Sequence, residues 1–293
     1  MREIKTLVYF DLEATGLKNS GKPRITELSL VAVNRQDVLD LHGRIRDHLS
    51  NCNNEEELAQ VETLVPRVLN KITLCVYPMA VIMPHVSIIT GLDNYNLTGQ
   101  AIFDKNTGDL LKNFLVRLPS PICLVAHNGS LYDFPLLKAE MKKTGTALGS
   151  QILCADSYVG IREIFKKRKD RNGCKENKLI NKNIVTVTEL LTSGQHLVKP
   201  SSTIDQLSCI VAINSRKAIT CSKASTPTSF SLINLHQYFM GCPPSQSHGA
   251  EADCLALLRT TAVLGEEWLD WVENNCYLFT DCVGMWGITG QGK

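Results

Sequence analysis

The sequence has little net charge and no CxxC pair. Its 31 Lys and Arg residues are almost balanced by 29 Asp and Glu residues, which leaves a formal net charge of +2. This balance excludes a histone-like polycation, so any contact with nucleic acid would need a local basic patch or a metal. A composition of 44% hydrophobic and 20% charged residues excludes collagen-like and wholly disordered chains. The 293 residues are enough for one large domain or two small ones.

The eleven cysteines form no paired zinc or redox motif. The smallest gap between neighbouring cysteines is six residues, from Cys276 to Cys282, which excludes zinc-ribbon and thioredoxin signatures. The first eleven residues include three charged side chains before a short apolar stretch, and this is too charged for a secretory signal. We therefore expect free thiols in a reducing intracellular compartment, the cytoplasm and/or the nucleus.

The sequence also lacks a long hydrophobic run that is free of helix-breaking residues. The 21 residues from Ile72 to Leu92 contain no Asp, Glu, Lys or Arg, but Pro78 and Pro84 interrupt them. Two internal prolines disrupt a helix, and a membrane-spanning helix needs about 20 predominantly apolar residues. We expect a buried strand followed by an irregular apolar loop here, and not a transmembrane helix.

Hydrophobic patterns predict strands first in series and then alternating with helices. The predicted strands are Leu7–Glu13, Ile25–Val33, Val68–Tyr77, Ile122–Ala126 and Ile152–Ser157. The predicted helices are Leu110–Leu118, Phe134–Lys143, Phe230–Met240, Ala250–Leu264 and Glu266–Asn275. This order predicts an α/β fold with a mixed central sheet flanked by helices.

The stretch from Lys166 to Thr228 has no clear periodicity and begins with a basic run. Eight Lys or Arg residues and two acidic residues lie between Lys166 and Lys182, which gives this segment a local net charge of +6. Long irregular segments in compact domains are usually functional or disordered. We predict a single domain over residues 1–293 with a basic and polar insertion at about 166–228. The basic run is interpreted as a solvent-exposed or DNA-contacting loop, which would add DNA affinity and no chemistry, or as a nuclear-localisation patch.

Asp11 and Glu13 stand two positions apart at the end of an otherwise apolar strand. Side chains at positions i and i+2 of a strand point to the same face, so the two carboxylates are predicted to lie side by side. Burying two like charges is unfavourable unless a cation compensates them, and hard oxygen ligands suit Mg²⁺ or Mn²⁺. The pair alone is a weak signal, because carboxylates at a strand end can also face water.

Two further clusters place polar residues at predicted helix starts. Asp133 follows the strand Ile122–Ala126 and an Asn-Gly turn, where it is either a helix cap or a functional carboxylate. His248 and Asp253 are about 140° apart around a helix, which favours Asp253 on the helix and His248 in the preceding loop. A neutral histidine beside a metal cluster suits a general base. Taken alone, the pair is more typical of a partly exposed loop histidine and a helix-surface aspartate.

In chain order, these residues resemble the pattern of the DEDDh exonucleases, and the flanking sequence resembles the three-prime repair exonuclease family. The similar stretches are Tyr9–Leu17, Ile89–Leu92, Leu124–Leu137, Ser247–Leu258 and the tail Trp271–Thr289. The resemblance covers about residues 6–165 and 230–289 and leaves the insertion unmatched. It implies a ribonuclease H-like (DnaQ-like) exonuclease fold. It also implies 3′→5′ removal of nucleoside 5′-monophosphates from DNA by two-metal hydrolysis.

The resemblance also implies roles for individual residues. His248 would deprotonate the attacking water. The residues implied to hold two Mg²⁺ ions, for which Mn²⁺ would substitute, are Asp11, Glu13, Asp133 and Asp253. The residues implied to contact the DNA are Leu17, Ile89, Tyr132, Ser229 and Ser231.

The partners implied by the resemblance are DNA with a free 3′ end, single-stranded or frayed, and a second copy of the chain. The copies would pair through edge strands near residues 72–77. A membrane-anchoring C-terminal extension, known in part of the family, is expected to be absent. Two other functions stay open. One is an RNA-trimming DEDDh exonuclease, and the other is a catalytically silent DNA-binding or scaffold protein.

Overall fold

The structure, a computed structural model, describes residues 3–18, 21–171, 227 and 229–286. The strands in these residues are β1 (Thr6–Ala14), β2 (Ile25–Asn34), β3 (Asn70–Cys75), β4 (Ile122–Ala126), β5 (Leu153–Asp156) and β6 (Tyr277–Leu278). They form one mixed sheet in the order β3-β2-β1-β4-β5-β6. β1 is antiparallel to β2 and parallel to β4, and β4 is parallel to β5. The predicted α/β fold with a mixed sheet is therefore confirmed.

Helices follow most of the strands. Within the described residues the α-helices are α1 (Arg35–Asn51), α2 (Glu55–Ala59), α3 (Pro84–Thr90), α4 (Lys105–Val116), α5 (Asp133–Lys143), α6 (residues 157–171), α7 (Leu232–Met240), α8 (Ala250–Ala262) and α9 (Glu266–Asn275). Short 3-10 helices cover Gln60–Thr63 and Phe279–Asp281. No helix in the described part of the chain combines the length and the apolar character needed to cross a bilayer.

The first half of β1 lies at the centre of the core. Leu7, Val8, Tyr9 and Phe10 are completely buried. Val8 and Phe10 belong to a hydrophobic cluster that includes Phe134 of α5, and the rings of Phe10 and Phe134 stack. The Tyr9 hydroxyl lies 2.9 Å from the Thr261 hydroxyl of α8. Helices therefore cover both faces of β1, and residues 7, 9, 11 and 13 share the face that packs against α8.

The helix α1 was not predicted from the sequence. Its buried residues are Val38, Leu41 and Ile45, spaced three and four residues apart as on one helical face. The remaining positions are largely charged or polar, which makes this apolar stripe narrow and easy to overlook.

The apolar stretch Ile72–Leu92 differs from the prediction in two respects. The strand ends at Cys75 and is half-exposed, because β3 forms an edge of the sheet and one of its faces meets solvent. The predicted irregular loop contains α3, whose first residue is Pro84. Proline is tolerated there because the first turn of a helix does not use its N–H groups. The prediction was therefore wrong about this segment's burial and about the absence of a helix.

The chain divides into two units, Met1–Arg162 with Pro227–Lys293, and Glu163–Thr226. The basic run at residues 166–171 belongs to the second unit and is helical, as part of α6, where an irregular segment was expected. Residues 172–226 and 228 of the predicted insertion lie outside the described residues. A single domain with an insertion at about 166–228 stays a prediction.

Candidate active site

The second half of β1 is open on one side. β1 pairs with β2 along its whole length, but it pairs with β4 only from Thr6 to Tyr9. Asp11 and Glu13 lie on the part of the strand beyond β4, and both are half-buried. The predicted arrangement of two carboxylates on one strand face is therefore present, beside a gap in the sheet.

Asp133 enters this gap at the start of α5. The chain leaves β4 at Ala126, turns, and begins the helix with Asp133, which is 6% exposed. The backbone N–H of Leu12, between the two β1 carboxylates, lies close enough to the Asp133 carboxylate to oppose the rise of its pKa. The start of α5 therefore lies beside the open half of β1.

A buried carboxylate at the end of β5 holds the turn before Asp133. Asp156 is 4% exposed and accepts hydrogen bonds from the backbone N–H groups of Asn128, Ser130 and Tyr158, each at 3.0 Å. Asn128 has a positive φ of 60°, which asparagine tolerates better than most residues. Asp156 was not predicted from the sequence, because Asn128 and Ser130 follow β4, whereas Asp156 ends β5.

His248 lies in the loop before α8, and Asp253 lies in the helix, as their spacing predicts. His248 is exposed and has a left-handed φ of 64°. Its backbone N–H donates to Asp253 Oδ2 at 3.1 Å. Ligand atoms of Glu13, His248 and Asp253 all lie within 4.8 Å of one another, so α8 brings these two residues to the face of β1 that carries the carboxylates.

Burial and like charge act together on these carboxylates. Burial raises the pKa of Asp11 well above its ordinary value, and the charges of Asp133, Asp253, Glu13 and Glu27 raise it further. Burial also raises the pKa of Glu13 to about 8 and that of Asp133 to about 7, with smaller contributions from neighbouring carboxylates. The pKa of Asp253 is raised by burial as well.

Such a cluster needs protons or a cation to neutralise it. Carboxylate oxygens in this density are the hard ligands that Mg²⁺ and Mn²⁺ prefer, and one imidazole beside them is compatible with either ion. The residues present therefore fit a divalent metal site.

Glu27 is a carboxylate beside this cluster, and it was not assigned from the sequence. It lies on β2 directly opposite Glu13, and its charge contributes to the raised pKa of Asp11, Glu13 and Asp253. In the sequence, the only indication of a role for Glu27 was its position inside a predicted strand. The register between β1 and β2 is needed to show that Glu27 lies opposite Glu13.

Three of the predicted substrate residues surround the segment that follows β1. Leu17 is 66% exposed, and Ile89 on α3 is 51% exposed. The Tyr132 hydroxyl donates to the Gly16 carbonyl oxygen, and the backbone N–H of Met83, just before α3, donates to Thr15 O at 3.0 Å. These contacts bring Tyr132 and the start of α3, the helix that carries Ile89, to residues 15 and 16, which precede Leu17.

Ser229 and Ser231 lie at the start of α7, and both are exposed. The Ser231 hydroxyl accepts from the Asn234 N–H at 3.4 Å as a helix cap, and the Ser229 hydroxyl accepts from the Ser231 N–H at 3.1 Å. A ring nitrogen of His127, just after β4, lies 2.8 Å from the Phe230 carbonyl oxygen. The serines are thus attached to the strand end that precedes the Asp133 turn.

Comparisons with known proteins give the family. Three-prime repair exonuclease 1 of Bos taurus is 32% identical over 292 residues, which cover 98% of this chain and 72% of the relative. The Homo sapiens protein of the same name is 31% identical over 298 residues, covering 99% and 73%. The chain belongs to the three-prime repair exonuclease family. The family resemblance inferred from the motifs is confirmed, and the chain is a 3′→5′ exonuclease.

Two other comparisons support the same result, one over a shorter aligned length and one at lower sequence identity. Three prime repair exonuclease 2 of Homo sapiens is 42% identical over 160 residues, which cover 54% of this chain and 61% of the relative. Escherichia coli exonuclease I, solved with a dA16 oligonucleotide, superposes with a TM-score of 0.54 at 11% identity. The match covers 92% of this chain but only 43% of exonuclease I, and it supports the fold alone. A scan against protein-family models found no match.

Proposed function

We propose that this exonuclease is metal-dependent and releases nucleoside 5′-monophosphates from DNA 3′ ends. The observation that carries the proposal is the convergence of Asp11, Glu13, Asp133 and Asp253 with His248 at the open half of β1. DNA is the proposed substrate because the relatives are named repair exonucleases, and repair acts on DNA.

The four carboxylates are proposed to hold two divalent cations, Mg²⁺ with Mn²⁺ as a substitute. Bound cations would stabilise the negative charge that develops on the phosphate oxygens during an in-line displacement. The protein contributes a fixed array of ligands. β1 holds Asp11 and Glu13, Asp133 begins α5, and the first turn of α8 carries Asp253.

His248 is proposed to accept the proton of the attacking water at a ring nitrogen. Its exposure leaves the ring accessible to water, and the bond from its backbone N–H to Asp253 fixes the loop that carries it. An imidazole can accept this proton only in its neutral form. Because its ring also lies within reach of Glu13 and Asp253, a metal-ligand role is the competing assignment.

The terminal nucleotides are proposed to bind at Leu17, Ile89 and Tyr132. Exposed apolar and aromatic groups can stack on splayed bases without selecting a sequence, and two of these side chains are more than half exposed. Ser229 and Ser231 would then present hydroxyl groups to the DNA backbone from the start of α7.

The deciding experiment compares 3′-labelled and 5′-labelled DNA strands, and a matched RNA strand, with Mg²⁺ and with chelator. We expect immediate release of the 3′ label, a shrinking ladder from the 5′ label, and no cleavage in chelator. Faster trimming of the RNA would favour an RNA-trimming exonuclease instead. Tight DNA binding with no cleavage under any metal would favour a binding or scaffold role.

A homodimer is proposed through β3, which forms an edge of the sheet in the described residues. An exposed edge strand offers unpaired N–H and C=O groups to a second copy. Light scattering at micromolar concentration should give twice the mass of the chain, whereas a monomer mass would reject the dimer.

The basic run at residues 166–171 is proposed to add DNA affinity and no chemistry. The test variant replaces five basic residues with alanine: Lys166, Lys167, Arg168, Lys169 and Arg171. Each lost phosphate contact flattens the dependence of log K on log salt by about 0.7–0.9, so binding should weaken while turnover at saturating DNA stays constant. Unchanged affinity and salt slope would leave nuclear import as the role of this run.

A further inference from the structure

Glu27 makes a contact that connects β2 to the start of α8. Its Oε2 accepts a hydrogen bond from the backbone N–H of Ala250, the first residue of α8, at 2.7 Å. On its other side, the Cys75 thiol donates to Oε1 at 3.9 Å. The side chain is half-buried and lies opposite Glu13 in the strand register. Glu27 is thus held from both sides, and it links the sheet to a helix terminus 223 residues away in the sequence.

The contact lies two residues from His248. The N–H groups in the first turn of a helix have no intrahelical acceptor, and a carboxylate there also interacts favourably with the positive end of the helix dipole. Two carboxylates accept hydrogen bonds from backbone N–H groups at this helix start. Asp253 accepts from the His248 N–H, and Glu27 accepts from the Ala250 N–H. The segment 248–250 is therefore clamped at both of its ends.

Gly249, between the two clamped residues, has no side chain of its own to hold it. A methyl group added at its Cα would meet nothing within 4 Å, so side-chain packing does not restrain this residue. The hydrogen bonds on either side of Gly249 therefore determine where the loop lies.

The charge of Glu27 gives no benefit to the neighbouring carboxylates. It interacts electrostatically with Asp11, Glu13 and Asp253, which are carboxylates of the same sign. A negative charge placed there is unfavourable unless its hydrogen bond contributes more than the repulsion removes.

We propose that Glu27 is a positioning residue for the exonuclease reaction, which ties the Gly249–Ala250 peptide to β2 and so holds His248 and Asp253 against Glu13. This inference rests on the function proposed for that site. What matters is the reach of the acceptor oxygen and not the charge. A misplacement of a catalytic group by about 1 Å can lower a rate about 100-fold.

Two substitutions of Glu27 separate the effect of the acceptor oxygen's position from the effect of the negative charge. Glu27→Gln keeps an acceptor oxygen at the same distance and removes the charge, whereas Glu27→Asp keeps the charge but is one methylene too short to reach Ala250. We expect Glu27→Asp to lower kcat about 10–100-fold, the usual effect of losing a group that orients a ligand, with little change in KM for DNA. Glu27→Gln should stay within about threefold of the wild type.

The matched control is Glu251→Gln, one residue further along α8. The Glu251 carboxylate contacts Lys71 and Thr73 of the edge strand β3, at 2.5 and 2.9 Å, and has no bond to the 248–250 backbone. It should keep wild-type kcat. A loss equal to that of Glu27→Asp would mean that docking of the helix as a whole is responsible, and it would overturn the specific role of Glu27.

A second readout does not depend on catalysis. Hydrogen exchange of residues 248–253, measured without DNA or metal, should be faster in Glu27→Asp and unchanged in Glu27→Gln. A wild-type protein that fails to degrade DNA would refute the proposed function, and the exchange pattern would still decide the positioning role. The inference is overturned if Gln is as harmful as Asp, or if Asp leaves both kcat and exchange unchanged. It is also overturned if both variants raise the half-saturating Mg²⁺ concentration more than about tenfold, which would make Glu27 a direct ligand.

Discussion

The two halves of β1 share one partner strand, β2, and differ in what lies on the other side. Residues Thr6–Tyr9 lie between β2 and β4, and their side chains are almost completely buried. Beyond Tyr9 there is no β4, and the face toward α8 changes from Leu7 and Tyr9 to Asp11 and Glu13. A closed sheet requires apolar packing, whereas a gap at a strand end gives polar groups access to solvent and substrate. The packed half therefore serves as a rigid support for the carboxylates of the open half.

The largest effect should come from removing a carboxylate of the open half. Asp11→Asn or Asp253→Asn should lower kcat by about 10³-fold or more, because several kcal/mol of charge stabilisation are lost at about 1.4 kcal/mol per tenfold. DNA affinity, measured by fluorescence anisotropy, should remain close to that of the wild type. The matched control is Asp47→Asn, an exposed carboxylate on α1, which should have no effect. Near-normal turnover in Asp11→Asn would contradict the metal assignment.

The next effect concerns the loop that faces the open half. His248→Ala should lower kcat by about 10²–10⁴-fold, the usual loss on removing a general base. A variant with near-wild-type kcat would contradict the assignment of His248 as the base, and a large increase in the Mg²⁺ concentration required for activity would favour the ligand role.

Substitutions in the packed half of β1, Thr6–Tyr9, should lower the stability of the protein and leave its kcat unchanged. Leu7→Ala should cost about 2–5 kcal/mol of unfolding free energy, because a fully buried side chain leaves a cavity. Denaturant titration measures this loss, and kcat per folded molecule should be unchanged. If Leu7→Ala lowered kcat as much as Asp11→Asn does, the two halves could not be separated into support and site.

The smallest effect is a pH dependence of stability in the metal-free protein. The folded-state pKa values of Glu13, about 8, and Asp133, about 7, exceed the unfolded values of about 4. The folded state therefore binds more protons in this window, so stability is greatest below the unfolded pKa and decreases as pH rises through the folded ones.

Calorimetry should then show a Tm that falls between about pH 5 and pH 9 without metal. Added Mg²⁺ should raise Tm most at the alkaline end, where the carboxylates are charged. The variant Asp11→Asn should flatten the profile. A metal-free Tm that rises across this range would contradict the like-charge cluster.

Local sequence patterns predict much of the fold. The strand Ile122–Ala126 and the helix Glu266–Asn275 have the predicted bounds, because an unbroken apolar run and an amphipathic period depend only on neighbouring residues. The same holds for Asp11 and Glu13, since a strand places residues i and i+2 on one face wherever the strand lies. The candidate site residues were found by this rule together with the family resemblance of the flanking motifs.

The remaining features depended on contacts between distant parts of the chain. α1 and α3 form in segments whose own patterns are weak, and β3 is half-exposed because it borders the sheet. The positions of Glu27 and Asp156 became meaningful only when the strand register set Glu27 against Glu13 and brought the turn at Asn128 to the end of β5. Backbone hydrogen bonds such as that from Ala250 to Glu27 join residues with no common sequence period, so only the tertiary structure decides which carboxylate receives them.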